Sequence, residues 1–179
     1  MRKEIRLSGS GGQGLILAGI ILAEGAILSN LNSVQTQSYG PEARGGASKA
    51  EVIISDGEIN FPKVNKADLM LSLTQKSFDE YSQSVKAGGT IIIDSTVDES
   101  MLNIEGVEII KVPIIDSAKN KLGKEMVSNI VALGVISEVL DELNKEKLRD
   151  AILARVPKGT EKLNQSAFEL GHDLINYAY

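Results

Sequence analysis

Along the first two thirds of the chain, apolar residues fall in short alternating or continuous runs. Along the last third they fall at helical spacing. Residues 4–8 alternate charged and apolar side chains, predicting a first strand that Gly9 ends. From Gln13 to about Ser29 the chain is almost wholly Leu, Ile, Ala and Gly, with Glu24 as its one charge. A helix apolar on nearly every side is buried on nearly every side. Ala18, Gly19, Ala23, Gly25 and Ala26 keep it slim enough to approach a sheet closely. Glycine inside a helix costs roughly 0.5–1 kcal/mol relative to alanine, so close packing is the expected compensation.

Further along, residues 34–37 predict a short second strand, and residues 50–55 a third that stops at the Asp56-Gly57 turn. Residues 68–74 predict another strand, and residues 75–86 a helix closed by Gly88 and Gly89. The continuous apolar run of residues 90–94 suits a central parallel strand. Residues 108–114 predict the last strand, stopped near Pro113. Helices follow over residues 125–143, 145–154 and 161–177, the last two separated by the Pro157–Gly159 break. Strands alternating with helices imply an α/β fold: one three-layer, Rossmann-like domain over residues 1–179, with a mostly parallel sheet and a helical C-terminal third.

Composition narrows the chemistry. The 179 residues suffice for a sizeable core, and with 4% aromatics and no Trp that core must be aliphatic. The net charge of −5 and the lack of a basic run argue against nucleic-acid partners. With no Cys, the chain has no ligands for a cysteine-bound iron–sulfur cluster, a thiolate metal site or a cysteine nucleophile. With His172 as its single histidine, no metal site is expected. Residues 1–6 lack the apolar core of a signal peptide, and no run reaches a membrane span, so a cytoplasmic location is expected.

Two glycine-rich segments carry the candidate chemistry. The first, Gly9, Ser10, Gly11, Gly12, Gln13 and Gly14, joins the first strand to the first helix. That arrangement turns backbone N–H groups and a helix N-terminus toward an anion. It satisfies the dinucleotide fingerprint literally. However, the acidic residue wanted about twenty positions later to hold a ribose is missing from residues 32–38. A tight turn with no ligand, an anionic cofactor group and a partner's backbone all remain open. The second segment holds Tyr39, Gly40, Pro41, Glu42, Arg44, Gly45 and Gly46. Proline and glycine give this loop a stiff path, and an aromatic and an opposite-charge pair sit on it, as on binding loops.

Residues 9–14 and the run Gln35-Thr-Gln-Ser-Tyr-Gly-Pro-Glu-Ala-Arg-Gly-Gly-Ala-Ser-Lys49 resemble the gamma subunit of 2-oxoacid:ferredoxin oxidoreductases. Residues 51–55, Gly123, Asn129 and Leu133-Gly134 extend the likeness across the domain, and residues 44–48 look more like the 2-oxoglutarate type than the pyruvate type. The resemblance implies a multisubunit enzyme that decarboxylates a 2-oxoacid on thiamine diphosphate, passes electrons to ferredoxin and leaves the acyl group on coenzyme A. It places thiamine diphosphate and iron–sulfur clusters on partner alpha, beta and ferredoxin-like delta subunits. This chain has neither cysteines nor a Gly-Asp-Gly with a later Asn pair. No residue of its own is expected to be catalytic. What remains for it is assembly, or assembly together with coenzyme A contact through residues 9–14 and the Arg44 guanidinium. Without companions, the isolated chain is expected to be inactive and to self-associate as a homodimer. The competing readings are an autonomous nucleotide-binding oxidoreductase and an interaction domain that binds no small molecule.

The remaining polar residues read as structural. Ser128 and Asn129 are expected to bond to neighbouring backbone. Asp94 either faces a site or caps the turn after its strand. Lys119, Lys121 and Lys124 form a solvated face. His172 has no visible companion acid, and Tyr177 and Tyr179 pack the end or meet a partner.

Overall fold

A computed structural model describes residues 1–38 and 47–176. The order of elements is β1 (Arg2–Ser10), α1 (Leu15–Leu28), β2 (Asn32–Ser38), β3 (Ala47–Ser55), β4 (Ala67–Ser72), α2 (Gln75–Tyr81), β5 (Val85–Asp94), β6 (Glu108–Val112), α3 (Ile114–Leu122), α4 (Ser128–Val139), α5 (Lys145–Arg155) and α6 (Glu161–Asn176). The strands form one sheet in the order β2-β3-β1-β4-β5-β6. The β1–β4, β4–β5 and β5–β6 pairs are parallel. β3 runs antiparallel to both β1 and β2. The sheet is therefore mostly parallel, with an antiparallel hairpin on one flank.

Side chains alternate across the sheet, as the two-residue strand period demands. Ile5, Leu7, Ala50, Val52, Ile54, Leu69, Leu71, Ile92 and Ile110 face a large aliphatic core shared with α1, α3, α4, α5 and α6. On the other face Met70, Ile91 and Ile93 pack with Phe78 of α2 and with Val97, and Ile53 packs with Val64 and Ala67. Five helices thus cover one face, while α2 and the irregular segments on either side of it cover the other. Arg6 lies on that second face at 4% exposure. Its guanidinium is paired with Glu51, donates to the Val64 carbonyl and Ser84, and lies over the Tyr81 ring.

Several boundaries differ from expectation. Gly9 does not end β1, because β3 continues the ladder and pairs Gly9 with Ser48 and Ser10 with Ala47. The helix expected to reach residue 86 ends at Tyr81 and tightens into a 3₁₀ turn, Ser82–Ser84. Gly88 and Gly89 then lie inside β5, where an irregularity shifts the register against β4 between Ala67 and Leu69. The last strand stops at Val112. Pro113 is the N-cap of α3 rather than merely the end of a strand, at a helix start where its missing N–H donor is no loss. The helix expected over residues 125–143 is a 3₁₀ turn followed by α4.

Glycine sets how closely the helices pack. As expected, the glycines of α1 lie in close contacts: a Cβ on Gly19 would lie 3.0 Å from the Ala50 Cβ, and one on Gly25 2.7 Å from a Leu148 methyl. α4 and α6 cross more tightly still. A Cβ on Gly134 would lie 2.2 Å from the Phe168 carbonyl oxygen, and one on Gly171 2.1 Å from the Val131 carbonyl oxygen.

Candidate functional site

The first glycine segment lies where β1 gives way to α1, at the carboxyl ends of the parallel strands. Ligands of open α/β sheets bind at that edge. The chain turns sharply there. Gly12 has φ +88° and Gly14 φ +71°, both left-handed, where a side chain is strained. Gln13 holds the turn from inside: its Oε1 accepts from the Ser10 amide at 2.8 Å, and its own amide donates to the Ser10 carbonyl at 3.4 Å. A Cβ on Gly9 would lie 2.3 Å from that same Oε1, so a side chain there would displace the brace.

Ser10, Gly11 and Gly12 are exposed. Among the described residues, a Cβ on Gly11 would meet nothing within 4 Å. Among the described residues, the amides of Gly11, Gly12 and Gly14 donate to no protein acceptor. Gly14 is the N-cap of α1 and supplies no side-chain cap to the first-turn amides. The turn therefore presents several backbone donors and the positive end of a 14-residue helix to the outside. By contrast, α2 is capped by Thr74 and α5 by Asn144.

The other residues at this edge are committed to structure. Asp94, 1% exposed, caps the segment that follows it. Its Oδ2 accepts from the Ile115 amide at 2.9 Å, and its Oδ1 accepts from the Thr96 amide and hydroxyl. Its carboxylate thus sits at the N-terminus of α3, where the helix dipole favours it. Ser8, Ser72 and Ser77 are buried and bonded to one another or to backbone. Asn129 donates to the Gly14 carbonyl at 3.2 Å, and Ser128 donates to the Glu125 carbonyl. Both therefore bond to backbone, as expected, although the Asn129 partner is distant in sequence.

The second glycine segment, Tyr39 to Gly46, lies outside the described residues. The strands flanking it are informative. β2 ends at Ser38, paired with Lys49, and β3 begins at Ala47, paired with Ser10. The hairpin therefore brings Ser38 and Ala47, which flank the second segment, to the sheet edge that carries the first. This antiparallel return is the feature that composition and periodicity did not reveal.

His172 does have a companion acid, contrary to expectation. Its Nδ1 bonds to Glu138, and Phe168 meets its ring edge-on at 4.5 Å. Burial pushes the Glu138 carboxyl up. Hydrogen bonds from Lys145 and His172 outweigh that and hold it below its ordinary value of 4.5. Ser137 Oγ lies 3.4 Å from the same Nδ1. The trio is not a nucleophilic triad, because a triad acid and serine meet opposite ring nitrogens. Moreover, the Ser137 hydroxyl is 1% exposed and donates to the Gly134 carbonyl. The group ties α4 to α6. Among the described residues no cluster of three or more His, Cys, Asp or Glu could hold a metal, and no helix is long and apolar enough to cross a membrane.

Residues 4–174 match the family model described as pyruvate ferredoxin/flavodoxin oxidoreductase. The chain is 48% identical over 177 residues to the 2-oxoglutarate synthase subunit KorC of Methanocaldococcus jannaschii, covering 97% of this chain and 94% of that one. Its fold superposes with a TM-score of 0.91 and 45% identity on the keto/oxoacid ferredoxin oxidoreductase gamma subunit from Geobacter sulfurreducens, covering 99% and 98% of the two chains. A 2-oxoglutarate:ferredoxin oxidoreductase from Magnetococcus marinus, solved with 2-oxoglutarate, coenzyme A and succinyl-CoA bound, shares the fold at a TM-score of 0.86 and 22% identity. This chain corresponds to 31% of that longer one.

Proposed function

The chain belongs to the pyruvate ferredoxin/flavodoxin oxidoreductase family, as the gamma subunit of a multisubunit 2-oxoacid:ferredoxin oxidoreductase, and we propose that within it residues 9–14 receive a phosphate of coenzyme A. The complex oxidatively decarboxylates a 2-oxoacid, transfers the acyl group to coenzyme A and reduces ferredoxin. In our reading the substrate is of the 2-oxoglutarate type, and the single domain spans residues 1–179.

The observation that carries the coenzyme A assignment is the turn itself. Among the described residues, it offers amides without protein acceptors, open space above Gly11 and a helix N-terminus with no side-chain cap. These donors suit a phosphate, whose charge the helix dipole favours. Tyr39, Gly40, Pro41, Glu42, Arg44, Gly45 and Gly46 complete the site in this reading, with the Arg44 guanidinium as a second phosphate contact. Ser38 and Ala47, which flank the second segment, lie at the same sheet edge as Ser10 of the first, which supports the two acting together.

Cysteine-bound iron–sulfur clusters do not fit this chain, which has no Cys, and thiamine diphosphate does not fit it because it has no Gly-Asp-Gly with a later Asn pair. In this reading they reside on alpha, beta and ferredoxin-like delta companions. Coenzyme A supplies the thiol that accepts the acyl group. This chain's own part is to bind and orient the phosphate end and to pack against the subunits that carry the chemistry. The isolated chain is accordingly expected to show no 2-oxoacid-dependent reduction of ferredoxin or a dye, and adding the companion subunits is expected to restore it. Turnover by the isolated chain at an ordinary enzymatic rate would overturn the assignment.

A further inference from the structure

We infer that Asn129 is a positioning residue for the glycine turn, an inference that rests on the proposed binding role of residues 9–14. Asn129 is the second residue of α4, is 5% exposed, and divides its amide between two tasks. Its Oδ1 accepts from the Ile130 amide at 3.0 Å, which serves α4 itself. Its Nδ2 reaches across 115 residues of sequence to the Gly14 carbonyl at 3.2 Å. That carbonyl also accepts the Ala18 amide at 3.0 Å, the first hydrogen bond of α1. One oxygen thus joins the end of the turn, the start of α1 and the start of α4.

The contact is close as well as polar. A Cβ on Gly14 would lie 2.6 Å from Asn129 Nδ2, so the left-handed glycine and the asparagine amide fit only as a pair. Asn129 is itself held by a stiff frame. α4 crosses α6 in backbone contact at Gly134 and Gly171, and Glu138 and His172 bond the same two helices. The helical C-terminal third therefore sets the angle at which the turn shows its amides. Asn129, buried and with both ends of its amide bonded within the chain, acts on the turn rather than as a binding group of its own.

The two ends of the side chain can be tested separately. Asn129→Asp keeps the size and the acceptor for Ile130 but removes the donor to Gly14 and sets a carboxylate against its carbonyl. Amide hydrogen exchange of the full chain, without ligand, is expected to quicken at Gln13 and Ala18 by roughly three- to tenfold, the range of one lost hydrogen bond. Exchange at Ile130 is expected to stay as in the wild type. In the assembled enzyme the KM for coenzyme A is expected to rise by a similar factor with kcat unchanged. Asn129→Ala loses both bonds and is expected to quicken Ile130 too; should it fail to fold, Asn129→Asp alone decides. Wild-type exchange at Gln13 and Ala18 in Asn129→Asp overturns the positioning role, as does uniform loosening throughout α4. Faster exchange at the turn with an unchanged KM supports the positioning role and overturns the coenzyme A assignment instead.

Discussion

Gly11→Glu is expected to fold normally yet weaken coenzyme A binding to the assembled enzyme by at least about tenfold. The structural half follows from open space. A Cβ at Gly11 meets no atom of the described residues within 4 Å, and Gly11 is not among the positive-φ glycines, so a side chain is accommodated without backbone strain. The binding half follows from charge. A carboxylate about 4 Å from a phosphate repels it by roughly 1 kcal/mol in bulk water and about 4 kcal/mol at the effective dielectric of a protein surface. Each 1.4 kcal/mol is about a factor of ten in affinity. Gly11→Gln separates size from charge, and the excess effect of Glu over Gln is expected to shrink as salt rises. Melting temperature and calorimetric titration together check both halves. If Glu and Gln both bind like the wild type, no phosphate sits over this turn.

Gly134→Ala is expected to destabilise the chain by at least about 2 kcal/mol, the scale of an overpacked core. Helix propensity predicts the opposite sign, a gain of roughly 0.5–1 kcal/mol for replacing glycine by alanine. The crossing of α4 and α6 decides between them. The new methyl would lie 2.2 Å from the Phe168 carbonyl oxygen and 2.8 Å from the Gly171 Cα, and these are backbone atoms that cannot swing away. Gly171→Ala is expected to behave alike, since its methyl would meet the Val131 carbonyl from the other side. For a domain of this length 2 kcal/mol lowers the melting temperature by roughly 4–8 °C. A rise in melting temperature in either variant would mean the helices are not in backbone contact.

Much of this was legible because periodicity and glycine placement report local physics. β1, the glycine turn and the all-round apolar α1 follow from residues 4–29 alone, and the continuous apolar run of β5 marks an interior parallel strand, between β4 and β6. The failures were of two kinds. Some residues have two readings: Pro113 ends a strand and starts a helix equally well, and Gly88-Gly89 closes a helix as readily as it bends a strand. Others depend on partners far along the chain. Nothing near His172 announces Glu138, and nothing near Gly14 announces Asn129. The glycines at 134 and 171 read as poor helix formers until their helices cross. Of the proposed site, the turn at residues 9–14 was legible from its glycines. That the strands flanking residues 39–46 reach the same edge required the antiparallel placement of β3 between β2 and β1.

The most direct measurement is amide hydrogen exchange on the assembled complex with and without coenzyme A. We expect the ligand to slow exchange at Gly11, Gly12 and Gly14 by more than about tenfold, as protein amides gain charge-assisted bonds to a phosphate. Exchange in the α4–α6 crossing is expected to stay unchanged. Saturating coenzyme A that leaves all three glycine amides exchanging at their ligand-free rates would contradict the account.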